Sequence, residues 1–333
     1  MQEYELNSVL EQYDIVVNST RKTRGAILCD TDKGPLLLKE AAVSEGKAPA
    51  LCELYEYLED QGSIRTDCPV KNREGEYISV GEDGNRYMVK KWFSGRECDI
   101  RKPAELLKAS GSLASLHIMM QKELMHEIPP AAHLKEEYIR HNRELKKVRS
   151  FIRGVSPKGE FEFAFLKYFE QMYQWAEAAV LEVENSSYDS LYEESICGNH
   201  MTHGEYNYHN ILMKQGLELT LAAVTNFEKC RRDVQVEDLY YFLRKAMEKY
   251  GWKERLGDNM LNAYSAIKPL TKEETEYVKN RLIYPEKFWK IADSYYRSNK
   301  AWLSVKNIEK INVAISQTKE KKRFLENIFS FRL

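Results

Sequence analysis

The chain has 333 residues, 43% of them hydrophobic and 30% charged, and 50 basic side chains against 51 acidic ones give a net charge of −1. That length holds one large domain or two modest ones with a sizeable core, and the even charge gives no expectation of a nucleic-acid partner. No apolar run approaches the roughly 18–20 residues of a membrane-spanning helix. The acidic, polar start MQEYELNSVLEQYD lacks the basic and then apolar pattern of a signal peptide, so cytoplasmic synthesis without a leader or a membrane span is expected. The cysteines at 29, 52, 68, 98, 197 and 230 form no CxxC and no zinc spacing with histidine, which reads as buried, reduced thiols. The seven histidines contain no HExxH, so a metal held by side-chain nitrogen and sulfur is not expected.

In chain order, residues 14–18 (DIVVN) predict a first strand, 19–25 a polar and basic turn, and 25–29 (GAILC) a second strand. Thr31-Asp32-Lys33-Gly34 is a hairpin-type turn leading into a third strand at 35–39. A helix follows at 48–60, with Leu51, Leu54, Tyr55 and Leu58 on one face and Gly62 just past its end. Strands at 76–80 and 86–92 flank a Glu-Asp-Gly-Asn turn. After Gly95 the pattern becomes helical. Pro103 opens a helix to 121, residues 133–149 are charged and helical, and Leu166, Phe169, Met172, Tyr173, Ala176, Ala179 and Val180 trace a 3.6-residue stripe. Residues 201–228 break into turns and short strands, and 237–250, 255–267, 272–282 and most of 286–331 read as helices. A small β-rich part, residues 1–93, thus precedes a larger helical part, residues 94–333.

The most informative segment is 203–212, HGEYNYHNIL. A carboxylate, Glu205, and an amide, Asn210, stand five residues apart in a polar loop that enters an apolar strand at 211–213. A return strand at 217–224 ends at Thr225-Asn226-Phe227-Glu228. Phosphoryl transfer needs this kind of set: an acid to orient the attacking hydroxyl, and oxygens from two loops for magnesium. Each residue also has a plainer reading. Lys39 can be a solvated strand-end lysine, His203 and His117 packing residues, and Asp238 a helix-start carboxylate bracing the loop. Tyr206, Tyr208, Tyr240 and Tyr241 read as core and loop packing, while the side chain of His209 is assigned no role. Residues 319–323 (KEKKR) read as a solvated basic face over an apolar docking stripe.

HGEYNYHNIL resembles the H-G-D-x-x-x-x-N-I-L loop of aminoglycoside phosphotransferases and choline kinases. Leu113-Ala114-Ser115-Leu116-His117 resembles the L-A-x-L-H helix that precedes it. NYHNILM, VTNFEKC, DVQVEDLYYFLRK and YPEKFWKIA are similar to strings of the spore-coat CotS-like branch of that superfamily, a likeness running from Lys39 to about residue 305. The resemblance implies an α+β, two-lobe protein-kinase-like fold, with a small antiparallel-sheet N-lobe bearing one helix and a large, mainly helical C-lobe. The C-lobe would carry a catalytic-type loop at 203–212 and a metal-type loop at 225–228. ATP and magnesium are the implied cofactors. Glu205 becomes the counterpart of the catalytic aspartate, Asn210 the magnesium-binding asparagine, and Asn226 stands where a second metal-binding aspartate belongs. Lys39 resembles the ATP-phosphate lysine, with Glu53 as its ion-pair partner and Glu56 as the alternative. Residues 87–93, Tyr87 and Val89 among them, resemble the hinge that holds adenine through backbone groups.

The pattern departs from that family in three places. Glu205 adds a methylene, which moves the carboxylate by roughly a bond length, and about 1 Å of misplacement can cost on the order of a hundredfold in rate. Asn226 lacks the negative charge that a hard cation favours; Glu228, two residues on, is the candidate to supply it. The turn at 19–25 has one glycine and three basic residues in place of a glycine-rich cradle, so phosphates would meet side-chain charge. Two functions stay open. One is an inactive or weakly active kinase-fold protein of the spore coat, a pseudokinase working through contacts with other coat proteins. The other is an active ATP- and magnesium-dependent kinase that phosphorylates a hydroxyl group of a small molecule.

Overall fold

A computed structural model of the chain describes residues 3–23, 25–214, 216, 219–298 and 305–332. Arg24 of the basic turn, residues 217 and 218 of the return strand, and residues 299–304 of the last helical stretch lie outside the described residues. The chain forms two compact units, one of residues 1–129 with 198–232, the other of residues 130–197 with 233–333.

The first unit begins with α1 (Glu3–Leu10), followed by β1 (Val17–Thr23), β2 (Ala26–Thr31), β3 (Gly34–Glu40), α2 (Ala48–Gln61), β4 (Ser79–Val80) and β5 (Arg86–Lys91). The strands form one antiparallel sheet in the order β1-β2-β3-β5-β4. Its second hairpin closes over Asp32 and Lys33: the Thr31 hydroxyl donates to Gly34 O (2.6 Å) and accepts from Lys33 N (3.2 Å). Gly34 takes a φ of +95° there, which only glycine adopts without strain. The expected turn over residues 19–23 is instead strand, because β1 extends to Thr23 and pairs with β2 through Arg21↔Leu28 and Lys22↔Ile27.

Register decides which residues share a sheet face, since directly opposed antiparallel partners project to the same side. Leu38 opposes Val89 and Glu40 opposes Tyr87, whereas Leu37 opposes Lys90 and Lys39 opposes Met88. The face bearing Leu36, Leu38, Tyr87 and Val89 packs with Val9, Leu10 and Tyr13, at and just beyond α1. The acidic start of the chain hid this helix. α2 turns Leu51, Leu54, Tyr55 and Leu58 inward, all fully buried. The unit continues through β6 (Arg96–Glu97) and α3 (Pro103–Met119), then β7 (Met201–Thr202), β8 (Ile211–Met213), β9 (Leu221–Val224) and β10 (Arg231–Arg232). β6, β8 and β9 form a three-stranded sheet, and β7 pairs with β10.

The second unit is helical: α4 (Leu134–Gly154), α5 (Glu160–Glu184), α6 (Tyr188–Cys197), α7 (Val236–Tyr250), α8 (Glu254–Ser265), α9 (Lys272–Ile283), α10 (Glu286–Arg297), α11 (Val305–Ser316) and α12 (Thr318–Phe329). The long α5 buries Phe165, Phe169, Met172, Ala176, Ala179 and Val183, a 4-3-4-3-4 spacing along one face. Leu166, Tyr173 and Val180 flank that stripe, half-buried. Arg281 of α9 grips Glu237 of α7 through two bonds of 2.7 Å, a buried bidentate pair. Lys321, expected on a solvated basic face, turns inward: its ammonium donates to Tyr284 O (3.2 Å) and Ile283 O (3.4 Å) at the C-terminal end of α9, where a cation suits the helix dipole. No helix among the described residues is long and apolar enough to cross a membrane. Five of the six cysteines are buried and Cys197 is exposed.

His141 on α4 stacks on Trp289, ring centroids 3.5 Å apart. Burial pushes its imidazole down to about 4, with Arg140, Arg281 and Lys290 reinforcing the shift and Glu286 opposing it. The native state therefore keeps this ring neutral, while the unfolded chain protonates it below about pH 6.5. Its stabilising contribution is full above that pH and declines as pH falls towards 4. Urea midpoints measured from pH 7 to pH 4.5 are expected to fall less steeply in His141→Phe than in the parent protein; equal slopes would contradict this assignment.

Candidate active site

The loop between β7 and β8 is organised by its own polar groups. His203, fully buried, accepts from Glu205 N at Nδ1 (3.1 Å) and faces Thr225 O through Nε2 (2.9 Å). Those partners fix a neutral imidazole with the proton on Nε2, and it ties the loop to the end of β9. The Asn207 and Asn210 side-chain amides both donate to Glu205 O, at 3.0 and 2.9 Å. The Tyr206 hydroxyl donates to Ala109 O on α3 (2.8 Å). Held this way, the Glu205 carboxylate is about a third exposed and pairs with Lys229 Nζ at 3.1 Å.

Residues 225–228 are fixed equally closely. Thr225 N donates to Asn210 O (2.9 Å). Asn226 sits in the left-handed region at φ 68°, ψ 58°, which asparagine tolerates better than most residues. Its backbone N–H donates to Asp67 Oδ1 (3.0 Å), and its side-chain amide donates to Asn210 Oδ1 (2.7 Å) and accepts from Lys39 Nζ (2.8 Å). Phe227 N donates to the Tyr55 hydroxyl (3.2 Å). Lys47 Nζ donates to Glu228 O (2.7 Å). Lys39, Asn210, Asn226 and Glu228, scattered along the sequence, therefore meet in one place.

At the centre of this place stands a residue that the sequence did not single out. Lys90 of β5 is 1% exposed, and its ammonium contacts Glu228 Oε1 at 2.7 Å, Asp67 Oδ2 at 2.8 Å and the Tyr55 hydroxyl at 3.0 Å. Glu228 Oε1 also accepts from Lys39 at 3.3 Å. Burial alone would lower the lysine pKa, but Asp67 and Glu228 outweigh it and raise it, so Lys90 is an ammonium ion. Burial would raise the Glu228 carboxyl, yet Lys90 and then Lys39 hold it well below the usual range. For Asp67, wholly buried, desolvation wins over Lys90 and the shift is upward. Lys90 thus bridges Asp67 and Glu228, and Lys39 reaches Glu228 from the other side.

Four residues expected at the site lie elsewhere. Glu53 does not pair with Lys39: its carboxylate accepts from Met125 N (2.6 Å), His126 N (3.0 Å) and His126 Nδ1 (3.1 Å). Two residues along a helix is a turn of about 200°, so with Tyr55 facing inward Glu53 faces away. Glu56, the alternative, pairs with Lys71 at 3.3 Å and accepts from the Tyr77 hydroxyl. Tyr87 and Val89 belong to the interior of β5, on the α1 side of the sheet opposite to Lys39 and Lys90. Their backbone is engaged by β3 and β4, and Val89 O also accepts from Val70 N (2.8 Å), which is not the free edge of a hinge.

Lys47, Tyr55, Asp67, Lys90 and Asn207 were missed. For Lys90 a signal existed: in RYMVKKW the period of two puts it in phase with Met88, on a face that must be covered if Tyr87 and Val89 are covered on the other. For Asp67 nothing in the local sequence marks the role.

The chain is 23% identical over 329 residues to spore coat protein S of Bacillus subtilis (strain 168), covering 94% of this chain and 89% of that protein. Its fold is similar to that of an aminoglycoside phosphotransferase from Alicyclobacillus acidocaldarius, with a TM-score of 0.83 at 16% identity over 97% of this chain and 95% of the other. A spectinomycin phosphotransferase solved with ADP and spectinomycin superposes with a TM-score of 0.66 at 9% identity, over 96% and 99% of the two chains. Likeness at such identities shows the fold: an antiparallel-sheet N-terminal region and a mainly helical C-terminal part, as in kinase-like phosphotransferases. Residues 7–328 match the family described as "Spore coat putative kinase YutH", and the chain belongs to that family.

Proposed function

We propose that this protein is a spore coat component with a kinase-like site attenuated as a phosphotransferase, and that it acts through contacts with other coat proteins. The observation that carries this reading is that the oxygens offered to a metal are already taken by donors of the chain. Asn210 Oδ1 accepts the Asn226 amide, Asn226 Oδ1 accepts Lys39, and Glu228 Oε1 accepts both lysines. Magnesium is the ion that the fold family implies, and it requires hard oxygen donors, carboxylates foremost, in near-octahedral array. This donor set does not suit it. The pair that would bridge the ion is two neutral amides bonded to each other, and the nearby carboxylate is neutralised from within.

The family name and the coat protein relative support placement in the coat. One observation favours the second reading, an active kinase acting on a small hydroxylated molecule. Glu205 keeps a partly exposed carboxylate on a fully organised loop. ATP turnover in magnesium separates the two. Wild type at background, unchanged by Glu205→Ala, is the expected result; turnover that Glu205→Ala abolishes would sink the attenuated reading. Restoring both acids with Glu205→Asp and Asn226→Asp is expected to raise turnover by about tenfold or more, since a single positioned catalytic group is commonly worth 10²–10⁴. A flat response from the folded double variant would mean that more than these two groups has been lost.

A further inference from the structure

We infer that the cation of this site is built into the chain: the ammonium groups of Lys90 and Lys39 do, among the oxygens of Asp67, Glu228 and Asn226, what a divalent ion does in related folds, so a phosphate-bearing ligand binds here without metal. This rests on the preceding reading only in taking the site as kinase-like. An ammonium group has three N–H donors. Those of Lys90 are matched by three oxygens between 2.7 and 3.0 Å, on Glu228, Asp67 and Tyr55, so the group is saturated and sealed from solvent. Lys39 spends two donors, on Asn226 and Glu228. Its side chain is 27% exposed, which leaves one donor, among the described residues, for an incoming phosphate oxygen.

The charge balance argues the same way. Three lysines, Lys39, Lys47 and Lys90, against the two carboxylates of Asp67 and Glu228 leave no excess negative charge to attract a second cation. A divalent ion entering among these oxygens would also meet the ammonium groups of Lys39 and Lys90 at close range, where repulsion is only weakly screened. Among the described residues no three His, Cys, Asp or Glu side chains converge as a metal cage. The arrangement also explains why an asparagine serves at 226: its amide donates to Asn210 Oδ1 while its carbonyl accepts from Lys39. An aspartate has no donor for the first of these bonds.

The test uses the full-length chain. Calorimetric titration with ADP, once in EDTA and once in magnesium, is expected to give dissociation constants that agree within about twofold. Lys39→Ala is expected to weaken both by about tenfold, as for loss of one charge-assisted bond. Free Mn²⁺, followed by its paramagnetic resonance signal, is expected to stay free in the presence of wild type. Lys90→Met should take up Mn²⁺ and gain melting temperature with it, because Asp67 and Tyr55 are left without a cation and Glu228 keeps only its longer contact to Lys39. Mn²⁺ bound by wild type, ADP binding about tenfold tighter in magnesium, or no ADP binding in either buffer would each overturn the inference. If Lys90→Met does not fold, the wild-type titrations decide. Failure of the attenuated-kinase reading has a separate signature, turnover lost on Glu205→Ala, which neither titration reports.

Discussion

Replacing Lys90 by methionine is expected to destabilise the protein by about 3–5 kcal/mol, the cost typical of removing one partner from a buried ion pair. The side chain is 1% exposed, and Asp67 and Glu228 both point at it. Methionine fills much of the volume but leaves two carboxylates facing each other in a dry interior. The loss should extend beyond charge. Asp67 also accepts from Asn226 N, and Tyr55 from Phe227 N, so the segment 226–228 loses its anchor together with the lysine.

The size of this effect should depend on pH in a defined direction. In the parent protein the depressed Glu228 pKa contributes stability that is present above the ordinary carboxylate range and is lost as pH falls through its lower folded value. In Lys90→Met the same carboxyl keeps only the longer contact to Lys39, so burial raises its pKa relative to the parent, and the variant gains relative stability as the group is protonated. Urea midpoints of the two proteins should therefore converge between about pH 6 and pH 4. Adding Glu228→Gln to Lys90→Met should recover part of the loss at pH 7. A variant that melts like the parent at pH 7 would show that the lysine is not confined among these carboxylates.

Gly204→Ala is the second change expected to be severe. Gly204 has a φ of +80°, and a Cβ built there would lie 2.6 Å from the Lys229 carbonyl carbon and closer still to its oxygen. The left-handed backbone costs an alanine about 1–2 kcal/mol. The clash is with backbone, which has no rotamer to yield, and overpacking of this kind adds about 1–3 kcal/mol. The loop carrying Glu205 must move away from Lys229 or the unit must give up that stability. Gly84→Ala is the matched control, since Gly84 has a φ of +75° and nothing within 4 Å of its Cβ position. Its cost should be the backbone term alone. Equal melting temperatures for the two variants would mean that the 203–210 loop shifts freely, and with it the placement of Glu205.

Both variants concern contacts across long stretches of chain, and here the reading of the sequence stops. The strands of the first sheet were legible because alternation and turn chemistry are local: Thr31-Asp32-Lys33-Gly34 closes its hairpin through its own side chains. The end of the basic hairpin was misjudged. Residues 19–23 carry few apolar side chains, and β1 is an edge strand whose exposed residues need none. The amphipathic helices were legible for the same local reason, and the stripe on α5 was displaced only at its flanks. The 203–212 loop was found because its polar residues stand at fixed spacing next to an apolar strand.

What the sequence determined by itself, then, was the order of most elements of the chain, the helical or extended character of those with a clear apolar period, and the loop in which Glu205 and Asn210 stand. Tertiary structure decided which lysine holds which acid. Lys39 and Asn226 are 187 positions apart, and Lys90 and Glu228 are 138 apart. Such pairs depend on strand register and helix rotation, both set by packing. A shift of one residue in β5 would send Lys90 to the α1 face, and the rotation of α2 that buries Tyr55 is the same rotation that carries Glu53 away from Lys39. Periodicity shows that a residue shares a face with its neighbours, but only the packed structure shows what that face meets. At this site it meets a second lysine, in a place where the sequence led one to expect a metal ion.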